Sequence, residues 1–314
     1  MLFFFVSGSS LRAEDLRIAY SAINGAQAPL WVAVEENIFK RYGLDVELIY
    51  IGGGSVVTNA LISRDVQLAR LGPNSVIQAS LKGANLKMIA NTVNTLVGSL
   101  MAKPTIQSPK DLVGKKIGVT RLSGNTDYAL EFVLRKYNLQ RNKDVAVLQT
   151  GGLPQLLAAL VAGSVDAGLL TPPSNLQAIK LGLRELVDVS SLGMPYPNSV
   201  VATNGNYIAG NRKVLLRFVR AYSEGIARVS KDRAATMKAF IKYTKEQDPA
   251  ILGELYQLYG VKQLEKIPYV RTEAVEEVLR TEGIKPGSVD PTSFVDNSLV
   301  SELESEGFYR KLYP

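Results

Sequence analysis

The 314 residues contain no cysteine and no histidine. The first absence excludes thiol nucleophiles, disulfides, thiolate metal sites and, within these residues, a lipid-modified cysteine. The second excludes Ser-His-Asp triads, imidazole general bases and most zinc or iron ligand sets. Enzymes lacking both exist, but the usual toolkit is gone, and no catalytic residue, cofactor or metal site is expected. Basic blocks of the kind that mark nucleic-acid arms are also missing: the formal charge of +7 comes from acids and bases mixed along the chain. Such an excess serves solubility and draws anions to a cleft. After the N-terminus, no segment approaches the roughly 18 apolar residues of a membrane span. The N-terminus itself, MLFFFVSGSSLRAED, carries a short apolar run and then Ser-Leu-Arg-Ala. Residues 1–13 read as the clipped tail of a secretory signal cleaved after Ala13, although the apolar run covers only 2–6 and no basic residue precedes it.

What the chain does have is a repeat. Residues 145–178 lie without a gap on residues 46–79 at an offset of 99, with eleven identities, including Gly52/Gly151, Gly53/Gly152, Pro73/Pro172, Ser75/Ser174 and Gln78/Gln177. Ordinary composition would give roughly two or three. At the same offset Ile18 falls on Ile117 and Gly25 on Gly124. One α/β unit has been built twice, and at 46% hydrophobic residues the chain can bury two medium cores.

Read in order, residues 16–20 form a strand, Pro29 opens a helix to about Tyr42, and 45–51 are a second strand. Gly-Gly-Gly-Ser at 52–55 opens the next helix, 66–71 are a third strand, and 86–91 a fourth. This quick alternation predicts a parallel sheet covered on both faces. An extended segment at 97–103 hands over to the second unit, with strands at 116–120, within 145–178 and at 184–189. The stretch MPYPNSVVAT, from Met194, reads as a return crossing into the first unit. After Asn211 only helices are predicted, at about 211–230, 231–245, 249–259, 272–282 and 297–306, packing around the first unit.

In open α/β sheets, ligands sit beyond the carboxyl ends of the strands, at helix N-termini. Six loops fit: 21–27, 52–55 and 72–75 in the first unit, 121–126, 151–152 and 171–174 in the second. Their small and hydroxyl residues leave backbone N–H groups free to face an acceptor or anion. None is a nucleotide fingerprint: GGGS lacks the Lys-Ser/Thr of a phosphate loop, and no G-x-G-x-x-G follows a strand. Arg121 is the first candidate for holding a carboxylate or sulfonate, and Arg70 the second. Trp31, Tyr128 and Tyr196 are candidates for an apolar wall, with Trp31 better suited to the core.

At these residues the sequence resembles the solute-binding proteins of ABC importers, in the group with nitrate, sulfonate and taurine binders and the thiamin-pyrimidine-synthesis proteins. PLWVAVEENIFKRYGLDVELIYIGGGS, DLVGKKIGVTRLSGNTDYALEFVLRKYNL, LQTGGLPQLLAALVAGSVDAGLLTPP and SLGMPYP carry the resemblance. It implies an α/β, type II periplasmic-binding-protein fold: two α/β lobes around a cleft, with two hinge crossings. Lobe I would be 14–100 plus 201–314, and lobe II 101–200. By motif position it implies ligand contacts from Asn24, Gln27, Ser55, Asn74, Arg121, Ser123, Gly124, Asn125, Thr126, Thr171 and Tyr196. The implied role is to bind a small polar or anionic organic solute outside the cytoplasm, in the periplasm, as a monomer, and to deliver it to a membrane permease. The pyrimidine-forming branch depends on a histidine and a cysteine-rich motif, and this chain has neither residue type. The rival readings are an enzyme on the same scaffold, acting through Asp127, Asp166 or tyrosines, and a ligand-sensing module of a membrane receptor.

Overall fold

The computed structural model describes residues 13–314, so all but the last residue of the expected signal segment lies outside it. The first unit runs β1 (Glu14–Tyr20), α1 (Ala28–Glu35), α2 (Ile38–Arg41), β2 (Leu44–Tyr50), α3 (Gly54–Ile62), β3 (Leu68–Leu71), α4 (Pro73–Leu81) and β4 (Leu86–Asn91). The second runs β5 (Ser99–Ala102), β6 (Lys115–Val119), α5 (Asn125–Lys136), β7 (Val145–Gln149), α6 (Leu153–Val161), β8 (Ala167–Leu170), α7 (Ser174–Lys180) and β9 (Arg184–Asp188). Then come β10 (Val200–Asn204), α8 (Gly205–Lys231), α9 (Arg233–Thr244), α10 (Pro249–Tyr256), α11 (Thr272–Thr281), α12 (Ser298–Ser305) and α13 (Phe308–Leu312).

The repeat is a repeat of structure. α3 and α6 start and stop 99 residues apart, as do β3 and β8. The two sheets have matching orders, β2-β1-β3-β10-β4 and β7-β6-β8-β5-β9. One correction to the expected parallel sheets follows from that order. In each sheet the fourth strand is antiparallel and is supplied by the chain arriving from the other unit: β10 pairs with β3 and β4, and β5 with β8 and β9. A strand that enters from the opposite side must run against its neighbours, and this reverses its direction. The two crossings, residues 92–98 and 189–199, therefore end inside the sheets they join.

The helix expected from Pro29 to Tyr42 is two helices. Pro29 sits in the first turn of α1, which buries Leu30, Trp31, Val32 and Ala33, but Asn37 takes a left-handed φ of +53° and separates α2. Asp232 caps α9 by accepting from the Ala235 N–H, which divides it from α8 at the break expected between 230 and 231. α10 ends in a π-helical turn, Gln257–Lys262, and α13 is a helix that the periodicity did not reveal.

The tail packs on the first unit and also reaches the second. Trp31 of α1 stacks on Tyr243 of α9 with ring centres 4.8 Å apart. Gln177 of α7 donates to Glu246 at 2.8 Å, and Lys180 pairs with Asp248, both in the segment before α10. Among the described residues no helix is long and apolar enough to cross a membrane.

The tail packs closely where α8 crosses α1. A methyl group added at Gly225 would stand 2.5 Å from the Pro29 carbonyl oxygen and 3.0 Å from the Ala33 methyl. Gly225→Val is therefore expected to cost about 1–3 kcal/mol by overpacking. Urea unfolding measures it, and an unchanged midpoint would show that the two helices are not held this close.

Candidate functional site

The loops at the carboxyl ends of the two sheets meet. Asn24 Nδ2 donates to Thr171 Oγ1 at 3.3 Å, and the Gly25 N–H donates to the Pro172 carbonyl at 3.3 Å. Ser75 Oγ donates to the Ser123 carbonyl at 2.8 Å. A methyl group at Gly52 would stand 3.3 Å from the Gly152 backbone, so glycine is what lets these two chains pass. All six loops singled out by the spacing take part in the seam, and the crossings close one side of it.

Beneath the seam, where β3 meets the crossings, lies Arg70. It is fully buried at 0% exposure. Its Nε donates to Ser199 Oγ at 3.0 Å and its Nη2 to Thr92 Oγ1 at 2.8 Å, one hydroxyl on each crossing. Its Nη1 has no partner among the described residues. No ion pair among the described residues includes it. Its flat face lies over the Tyr222 ring, 5.3 Å from the centroid. Burial drives the guanidinium pKa down to about 9, which means that the protein alone serves the charged form poorly. At the offset of 99 the residue matching Arg70 is Leu169, also buried, in β8. The same strand thus folds in the second unit without a charge.

Other polar atoms in the same region are likewise unsatisfied. Among the described residues Gln27, 1% exposed, has no donor for its Oε1, and the Asn24 Oδ1 and Tyr259 hydroxyl lack partners. Tyr259 lies against Gly25 so closely that a Cβ there would overlap its ring, which places the tail beside the first loop. Tyr50, whose OH also lacks a partner among the described residues, and Tyr20 have ring centres 5.5 Å apart.

The eleven residues implied by motif position divide into groups. Asn24, Gln27, Arg121 and Thr171 face the seam, and the first three keep an unpartnered polar atom, Nε in the case of Arg121. The Arg121 stem packs against Gly53 of the other unit. Asn74, Asn125 and Tyr196 are tied to one another: the Tyr196 hydroxyl contacts Asn74 Oδ1 and donates to Asn125 Oδ1 at 2.6 Å. Asn125 Nδ2 donates to the Asn198 carbonyl at 2.6 Å, and Asn74 Nδ2 to Glu282 at 3.0 Å. Thr126 Oγ1 accepts from the Thr120 N–H at 2.9 Å, while the Ser123 N–H donates to Asp127. Gly124 is the residue before α5, and Ser55 lines a groove of about 480 Å³ with Ser75 and Ser123. Of the aromatic candidates, Trp31 is in the core, and Tyr128 stacks on Tyr196 at 4.8 Å. The carboxylates of the enzyme reading are engaged elsewhere: Asp127 pairs with Arg141 and Asp166 with Lys103, both at 2.6 Å.

Sequence spacing placed Arg121 ahead of Arg70 and did not single out Tyr259 or Tyr50. The signal available for Arg70 was its place in the strand LARL, where the second copy has Leu169. Tyr259 gave no signal, because it comes from the tail, about 230 residues from the loop it touches.

Residues 24–235 match the model of the family described as NMT1/THI5 like, and the chain belongs to that family. It is 24% identical over 290 residues to the putative binding protein YtlA of Bacillus subtilis, covering 89% of this chain and 85% of that one. It is 27% identical over 186 residues to the taurine-binding periplasmic protein of Escherichia coli, covering 58% and 55%. The alkanesulfonate-binding protein SsuA of Xanthomonas axonopodis pv. citri, solved bound to MOPS, superposes with a TM-score of 0.75 at 17% identity, covering 90% of this chain and 99% of that one. The type II periplasmic-binding fold implied by the sequence is the fold found.

The Tyr196 hydroxyl joins α4 to α5 across the seam, and burial pushes its pKa well above the usual phenol value, so it stays a neutral donor. Tyr196→Phe removes the one O–H donor shared by the Asn74 and Asn125 amide oxygens and is expected to cost about 1–3 kcal/mol. Urea unfolding measures the loss, and small-angle scattering should show a larger radius as the seam opens. An unchanged midpoint and radius would mean that the bond does not hold the units together.

Proposed function

We propose that this member of the NMT1/THI5-like family is the solute-binding component of an ABC importer. Residues 14–91 and 200–314 form one lobe and 99–188 the other, joined by the crossings 92–98 and 189–199, whereas the bounds expected from sequence, 100/101 and 200/201, cut through β5 and β10; a small anionic organic solute is gripped where the lobes' loops meet. The protein works in the periplasm, as a monomer, and passes its solute unchanged to a membrane permease. It is not an enzyme.

The observation that carries this reading is the buried guanidinium of Arg70 with neutral partners only. Burying a cation without a counter-charge is costly, and removing or neutralising it would relieve the fold. An anion brought in from outside supplies the missing charge and accepts from Nη1. Arg70 also bonds a hydroxyl on each crossing, so an anion held there is coupled to the segments that must flex when the lobes part. Asn24, Gln27 and Tyr259 offer further polar contacts, and Arg121 contributes from the opposite lobe. The remaining positions implied by motif, Ser55, Asn74, Ser123, Gly124, Asn125, Thr126, Thr171 and Tyr196, shape the seam and join the lobes. The relatives' names favour sulfonates as the first compounds to try: one binds taurine and another was solved with a sulfonate buffer.

A thermal-shift screen against sulfonates, carboxylates and nitrate tests the reading, with each hit recovered and identified after incubation. A ligand at 100 times its dissociation constant adds about 2.7 kcal/mol to stability. A hit recovered unchanged supports transport, whereas conversion would establish the enzyme instead. Arg70→Met is expected to weaken an anionic hit by about thirtyfold or more, the loss of about 2 kcal/mol or more for truncating a buried charged partner. The solute-free variant should be as stable as the parent or more so, because it buries no charge. Undiminished binding by Arg70→Met would overturn the assignment.

The same residue sets a pH limit. The guanidinium is protonated below its lowered pKa of about 9, and a bound anion raises that value. Affinity for a sulfonate should therefore be level from pH 6 to 8 and fall as pH rises past about 9, which calorimetry at constant ionic strength would record. A decline between pH 6 and 8 would point to a different titrating group.

A further inference from the structure

Gln78 and Gln177 are an identity of the repeat, and each donates to a carboxylate of the tail. Gln78 of α4 reaches Glu282 Oε2 at 2.6 Å, and Gln177 of α7 reaches Glu246 Oε2 at 2.8 Å. The first bond stays within one lobe, because α4 and the tail both belong to it. The second spans the two lobes, because α7 belongs to the other. One turn further along α7, on the same face, Lys180 pairs with Asp248. The residue matching Lys180 in the first unit is Leu81, so that ion pair has no counterpart there.

The tail side of this contact is held in place by its own lobe. α9 is fixed to α1 by the Trp31–Tyr243 stack and by Glu35 Oε1, which accepts from Lys242 Nζ at 2.7 Å and from the Tyr243 hydroxyl at 2.8 Å. In the connection to α10, Glu246 Oε1 accepts from the Gln247 and Asp248 N–H groups, both at 2.8 Å. Asp248 Oδ1 accepts from the Ala250 N–H at 2.9 Å. Both carboxylates are thus positioned by nearby backbone, and little side-chain freedom is lost when α7 meets them. Glu246 is only 8% exposed while α7 covers it. When the lobes part, water replaces Gln177 at one oxygen and the two backbone donors remain at the other. Opening therefore costs only the difference between those bonds, which makes the contact reversible.

We propose that Gln177 and Lys180 of one lobe, with Glu246 and Asp248 of the other, form a latch that sets how readily the lobes part. It involves neither Arg70 nor the crossings. The latch rests on the two-lobe fold and on no solute. Only its consequence for affinity rests on the importer reading, because a solute that binds the closed form is held in proportion to the closed fraction.

The chain has no cysteine, so spin labels can be placed without background by Ser63→Cys and Ala162→Cys, at exposed positions that follow α3 in one lobe and α6 in the other. Pulsed electron paramagnetic resonance on the labelled full chain then reads the separation of the lobes. Adding Gln177→Ala should raise the ratio of open to closed molecules about fivefold or more, and Lys180→Ala about two- to fivefold, each as growth of a longer-distance population. Raising sodium chloride from about 50 mM to about 500 mM should have the same effect on the parent and none on Lys180→Ala. Lys242→Ala removes an ion pair inside one lobe and should leave the distances unchanged. Equal distances in Gln177→Ala, Lys180→Ala and the parent, or the same shift in Lys242→Ala, would overturn the latch. No solute enters the measurement, so its failure leaves the importer reading standing.

Discussion

The rest of the structure depends on an exchange of strands. Each five-stranded sheet is completed by a segment arriving from the other unit, β10 in the first and β5 in the second. Because both crossings end as hydrogen-bonded interior strands, the two units cannot separate without losing ladder bonds in both sheets. Relative motion is left to the short spans 92–98 and 189–199. Whatever touches both spans is placed to read or to set the angle between the units.

The crossings bond each other through Tyr196 N–H to the Asn94 carbonyl and Asn198 N–H to the Val93 carbonyl, and Arg70 is a side chain that touches both, through Thr92 on one and Ser199 on the other. A charge in that position is not needed for the strand to fold, as Leu169 in the matching strand shows. A fold under selection for stability alone would remove a buried cation that has only neutral partners, so its presence calls for a counter-charge from outside. The proposed anion site thus rests on an energetic misfit, and the hinge coupling follows from where that misfit sits.

The helical tail adds a second layer of control. It packs on α1 through Trp31 and Tyr243, sets Tyr259 against the first loop, and reaches across to α7 through Glu246 and Asp248. These contacts put tail residues on two sides of the seam.

The sequence by itself determined the duplicated unit, the succession of strands and helices, and the six loops where the sheets meet. Those features are local: Gly, Pro and hydroxyl residues at strand ends force turns, and apolar spacing declares the elements. It also determined which chemistry is absent, since a missing histidine or cysteine needs no structure to be missed. Only the tertiary structure decided that the fourth strand of each sheet is antiparallel, that Asn74, Asn125 and Tyr196 are tied to one another, and that Arg70 is a buried cation with no ion-pair partner among the described residues. The reason is physical. Direction of pairing, burial and the satisfaction of a polar atom are properties of neighbours brought together from distant parts of the chain, and no local pattern encodes them.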